Sequence, residues 1–154
     1  MKKLRILVLL TPALLPPDSS KGYTEQEINA WKTEYDVVTT LRRAGHDVHP
    51  LGVHDELKPI RDEIESWKPD VVLTLLEEFH GEAIYDQNVA SYLELMHIPY
   101  TGCNPLGLML ARGKDLSKTL VHYHRIPTRA FAVFPKHSKA KRPARLTLPL
   151  IVKS

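Results

Sequence analysis

Two stretches of this 154-residue chain carry apolar side chains at consecutive positions: Leu4 to Leu10 (LRILVLL), interrupted only by Arg5, and Val71 to Leu76 (VVLTLL). A strand with one wet face alternates apolar and polar residues, so a run that is apolar throughout reads as a strand covered on both sides. Strands of that kind belong to parallel sheets, whose crossover connections lay helices over the faces. The chain is therefore expected to alternate strand with helix.

The intervening segments fit that expectation. Thr24 and Glu27 form the T-x-x-E of a capping box, Ile28, Trp31, Tyr35 and Val38 recur on one helical face, and Gly45 closes the helix. HDVHPLGV (46–53) offers a short strand, and Ile60, Ile64 and Trp67 mark a second amphipathic helix that Pro69 stops. Asp86 is expected to cap a third helix with Val89, Tyr92, Leu93 and Met96 on one face, leading into the extended segment IPYTG (98–102). Residues 1–103 thus read as a small doubly wound, Rossmann-like α/β domain with a parallel sheet.

The organisation changes at Asn104-Pro105, a favourable N-cap followed by proline at the first helical position. LGLML continues that helix, and Leu116, Leu120 and His124 mark another. IPTRAFAVF (126–134) is partly strand-like, and a basic stretch then leads to the apolar run Leu148–Val152, expected to be a buried strand that presents Lys153 at its end. A domain boundary is therefore placed near Gly102 to Asn104.

Hydrophobic residues at 43% and charged residues at 25% are the balance of a globular domain. Cys103 is the only cysteine, so no intrachain disulfide forms and the cytoplasm is the default location. The start, MKKLRILVLLTPALLPP, imitates a secretory signal, but Arg5, Thr11 and Pro12 and the lack of a small-residue cleavage site favour a buried first strand. The run is too short to span a bilayer, and no membrane association is expected. Net charge is +3, with basic residues concentrated in KHSKAKRPAR (136–145). With no aromatic residue interleaved, that stretch reads as a solvated loop rather than a phosphate-contacting tail, and nucleic acid is not expected as the partner.

No G-x-G-x-x-G and no P-loop occur, which removes the common dinucleotide and nucleoside-triphosphate cradles. Eight histidines show no zinc-ligand spacing, so no metal site is assigned. Ligands of open α/β sheets bind beyond the carboxyl ends of strands, which directs attention to Glu77, Glu78 and His80: an acid–base group or a solvated loop end. Lys114 follows a helix-breaking glycine and Lys153 follows the apolar run; each is either an ordinary surface charge or an ammonium aimed into a crevice. Trp31 and Met96 offer apolar surface for a homodimer or for the monomer's own core.

The segment HIPYTGCNPLGLMLARGKDLSKTLVHYHRIPTRAFAVF (97–134) resembles the junction segment of the D-alanine–D-alanine ligases of the ATP-grasp superfamily. The likeness runs through IPYTG, the helix from Pro105, Lys114, Lys118 and RIPTRAF. PLIVKS resembles that family's P-x-[IV]-V-K-P strand, and Phe79-His80-Gly81 looks like its L-H-G. The sequence departs from the family at Gly113, where Asp is usual, at Ser154, where Pro is usual, and in lacking the glycine-rich motifs after the first strand and after L-H-G. The resemblance implies a pre-ATP-grasp domain (1–103) followed by the start of an ATP-grasp domain (104–154). It implies that Lys114 and Lys153 contact ATP phosphates, that His80 and Gly81 lie at the amino-acid substrate site, and that Mg²⁺ ligands reside on further polypeptide. The activity implied is a carboxylate–amine ligase acting through an acyl phosphate, this portion being inactive alone. A non-catalytic α/β module for a small acidic ligand or a protein partner is the alternative, and a flavodoxin-like or glycosyltransferase-like unit would share the fold.

Overall fold

In a computed structural model the described residues are 2–135 and 137–152. They form two compact units, Met1–Met109 and Leu110–Ser154. The first is built on three strands, β1 (Arg5–Leu10), β2 (Asp47–Gly52) and β3 (Val71–Thr74), all parallel in the order β2-β1-β3. Ile6 faces Val48 on one side and Val71 on the other, so β1 is the central strand that its apolar run requires.

Side chains of β1 alternate between two cores. Leu7 and Leu9 join α2 (Lys58–Trp67) and α3 (Asp86–Leu95) through Ile60, Ile64, Val89 and Leu93. Ile6, Val8 and Leu10 join Val38 of α1 (Glu25–Arg43) and Val48 on the opposite face. The topology dictates this division. The first crossover runs from the centre to one edge and the second runs back past the centre, so right-handed connections put α1 on one face and α2 on the other. Each fully buried aliphatic side chain in these layers contributes roughly 1.5–3 kcal/mol.

Local chemistry sets the element ends. Thr24 Oγ1 accepts from the Glu27 amide at 3.3 Å while Glu27 Oε2 accepts from the Thr24 amide at 2.8 Å, the reciprocal capping box. The helix kinks at Trp31 (φ −124°, ψ 16°), which packs edge-on against Tyr23 and tilted against Tyr35. Trp31 is buried and Met96 packs against the α2/α3 core, so the monomer itself uses the apolar surface that had also suggested a dimer. Lys68, in the left-handed region (φ 53°), ends α2 immediately before Pro69. Asp86 is the first residue of α3 rather than its cap, and its Oδ1 accepts from the Gln87 amide at 2.7 Å.

Among the described residues of 110–154 the regular structure is the end of α4 (Pro105–Arg112) and all of α5 (Lys114–Tyr123). The run Leu148–Val152 is not a strand: it has no pairing partner among the described residues, and Ile151 and Val152 are 86% and 93% exposed. Residues 126–134 likewise form no strand. A strand is completed by a neighbour's hydrogen bonds, which an apolar run cannot supply for itself. No helix among the described residues is long and apolar enough to cross a membrane.

Candidate functional site

The chain leaves β1 toward β2 on one side and reaches β3 on the other, so the switch point of the sheet lies at the carboxyl ends of β1 and β3. Beyond β1 the Pro12–Leu14 turn crosses the end of β2, where a Cβ on Gly52 would stand 3.1 Å from the Pro12 Cα, so a larger residue there would push the turn away by a few tenths of an ångström. Beyond β3 the chain makes a tight reversal. Phe79 and Glu82 exchange amide–carbonyl hydrogen bonds of 3.2 and 3.1 Å, and His80 (φ 57°) and Gly81 (φ 71°) between them are both left-handed, as a two-residue primed turn demands. The His80 amide donates to the His54 carbonyl at 2.7 Å, tying this turn to the loop after β2. Both His80 and Gly81 are exposed at the tip.

Thr74, the last residue of β3, donates its hydroxyl to the Thr101 carbonyl at 2.8 Å, while its amide donates to Thr101 Oγ1 at 3.3 Å. With the parallel bridge from Val72 to Tyr100, these bonds lay IPYTG along the open edge of β3. A cavity of about 160 Å³ lies below, lined by Thr74, Leu76, Asp86, Tyr100, Cys103 and Leu108 among others. Tyr100 donates to Glu94 Oε1 at 2.8 Å, and partial burial followed by that bond pushes its phenol up to about 12. Asn104 Oδ1 accepts from the Gly107 amide at 2.8 Å, the expected N-cap of α4.

Lys114 belongs to the second unit and is the first residue of α5. A cation is electrostatically misplaced at a helix N-terminus, and Asp115 in the same turn and the Ala111 carbonyl, which accepts from Lys114 Nζ at 2.6 Å, offset this. Its side chain is exposed, and one of three ammonium donors is engaged by that bond. Lys118, one turn further along α5, places Nζ 5.2 Å from the centroid of the Phe131 ring. Lys153 lies outside the described residues. His80 and Gly81 therefore come together as one turn, and Lys114 stands in the other unit. Sequence reading missed a second cavity, of about 300 Å³, lined by His122, Thr128, Arg129, Ala130, Phe131 and Arg145. These residues span 24 positions with no fixed spacing, and the one hint was the basic content of the segment.

No family model matches the chain. Among curated proteins, the D-alanine–D-alanine ligase of Ralstonia nicotianae is 35% identical over 120 residues, which is 76% of this chain and 34% of the ligase. That of Aquifex aeolicus is 37% identical over 98 residues, 64% of this chain and 31% of the ligase. That of Bordetella pertussis is 40% identical over 75 residues, 48% of this chain and 24% of the ligase. The matches thus span about a quarter to a third of those relatives' lengths. The crystal structure of the Bacillus anthracis D-alanine–D-alanine ligase complexed with ATP matches 90% of this chain and 42% of that chain, with a TM-score of 0.59 and 24% identity, and shares its fold. The three-stranded parallel α/β architecture and these identities together make the chain similar, in part, to the N-terminal region of the D-alanine–D-alanine ligases.

Proposed function

We propose that this chain forms the N-terminal part of an ATP-dependent carboxylate–amine ligase. Residues 1–103 are its pre-ATP-grasp domain and 104–154 the opening of its nucleotide-binding domain. The observation that carries the reading is the 35% identity to a D-alanine–D-alanine ligase over 76% of the chain. The fold shared with a ligase whose crystal structure holds ATP supports it.

The residues present suit a triphosphate. Lys114 is exposed and keeps two ammonium donors beyond its bond to Ala111, enough to meet phosphate oxygens without losing the contact that holds it. Lys153 is assigned the matching role from its place after PLIV. ATP, when bound, would supply the phosphoryl group that turns a carboxylate into an acyl phosphate open to attack by an amine. Two fixed ammonium groups lower the cost of charge gathering on phosphoryl oxygens, because they are oriented before the reaction begins. The His80-Gly81 turn, at the carboxyl edge of β3, is assigned to the amino-acid substrate: left-handed backbone at both positions leaves the imidazole projecting from a short, tied reversal. Among the described residues no three His, Cys, Asp or Glu side chains gather into a metal site, and the proposal places the Mg²⁺ ligands on further polypeptide.

The test is ATP turnover by the complete ligase carrying Lys114→Ala or Lys153→Ala. Removing an ammonium that stabilises a transferring phosphoryl group is expected to lower kcat by about 10²-fold or more. Turnover within about twofold of the parent for both variants overturns the role of the lysines.

A further inference from the structure

Residues 116–154 contain nine lysines and arginines and not one aspartate or glutamate. Asp115, just before this stretch, is the single acidic side chain of residues 110–154, too few to neutralise these cations, and crowding them destabilises the compact state unless an anion arrives. The second unit nevertheless sets two of them, Arg129 and Arg145, around one space. His122 near the end of α5, Arg129 and Arg145 all line the cavity of about 300 Å³, together with Thr128 and Phe131. Lys118 adds a further positive charge on the Phe131 ring.

The arrangement is held from behind. Arg145 Nη2 donates to the Phe131 carbonyl at 3.1 Å, which joins the two walls of the cavity. Its neighbour Leu146 is buried, its amide donates to the Pro143 carbonyl at 3.0 Å, and its carbonyl accepts from the Arg142 guanidinium. Among the described residues no ion pair engages Lys118, His122, Arg129 or Arg145, although four pairs form elsewhere.

We propose that the cavity between His122, Arg129 and Arg145 binds the phosphate group of a small phosphorylated ligand. Guanidinium groups present paired N–H donors that match phosphate oxygens two at a time, and Thr128 supplies a hydroxyl donor beside them. The space is concave and sits at the small end of ligand pockets, which suits one or two phosphate groups rather than a polymer laid across a ridge. This site is separate from Lys114 and does not rest on the ligase reading.

Calorimetric titration of the 154-residue chain with pyrophosphate, and with inorganic phosphate at matched ionic strength, tests it. Saturable binding with one site per chain is expected, tighter for pyrophosphate. Arg129→Gln should weaken it by about tenfold or more, whereas Lys139→Gln with Lys141→Gln, which removes two charges from outside the lining, should change it by less than about threefold. Lys114→Ala should leave it intact, which separates this site from the proposed ATP contact. His122→Ala gives the same reading, a loss of affinity, should Arg129→Gln fail to fold. No saturable binding at millimolar pyrophosphate, equal losses in the lining and non-lining variants, or binding of a single-stranded RNA oligomer without pyrophosphate binding would each overturn the proposal.

Discussion

Tyr100 sits on the segment that closes the open edge of β3, and two effects acting in the same direction meet at its phenol. Partial burial raises the cost of a phenolate, and the hydrogen bond to Glu94 holds the proton in place, so its pKa is pushed up to about 12 from an ordinary 10. A group whose pKa rises on folding adds stability that is complete below the unfolded value and fades as pH climbs toward the folded one. Stability should therefore fall between about pH 10 and pH 12, and Tyr100→Phe should flatten that decline in urea melts taken across the range. An unchanged slope in the variant would show that other groups cause the loss. The sequence disclosed IPYTG as an extended segment but not the Tyr100 hydrogen bond, because Glu94 comes from the last turns of α3 and only the packed fold brings the two together. The Thr24–Glu27 capping box was legible for the converse reason: both partners lie within one helical turn, so their spacing alone specifies the contact.

At the scale of elements, periodicity was informative wherever a segment had a neighbour to pack on. The largely apolar runs of β1 and β3 announced strands covered on two faces, and the structure supplies one core above and another below. β3 proved shorter than its run, ending at Thr74, although the Leu75 amide still donates to the Leu9 carbonyl at 3.0 Å. Leu148–Val152 has the same composition and no strand geometry, since propensity is written in the run while pairing depends on a partner elsewhere. Burial rather than hydrophobicity should govern energetics, and α3 contains the comparison. Leu93 is 0% exposed between α2 and the sheet, and Leu95, two residues on, is 77% exposed. Leu93→Ala should cost roughly 2–5 kcal/mol in chemical denaturation, and Leu95→Ala should fall within roughly 0.5 kcal/mol of the parent. Similar costs for both would mean that α3 does not pack as described.

The whole molecule divides its apolar burial unevenly between its units. Among the described residues, Leu146 is the only buried hydrophobic residue within 110–154, where Leu116, Tyr123, Ile126, Val133 and Val152 are exposed. A helix of ten residues such as α5 is marginal in water without tertiary packing, so its amides should open far more readily than those of β1. Native-state hydrogen exchange followed by mass spectrometry on the 154-residue chain should find protection concentrated in β1, β2, β3, α2 and α3. Residues 114–123 should exchange about 10²-fold faster or more. Equal protection in both units would contradict the burial described. The proposed ligase role makes a further demand of the same measurement: within a complete ligase the exposed leucines of α5 should acquire neighbours, and the exchange of 114–123 should slow. Slow exchange in the long protein and fast exchange in this chain would identify the second unit as an opening that further polypeptide must finish, with Lys114 standing at the helix terminus which that completion would fix in place.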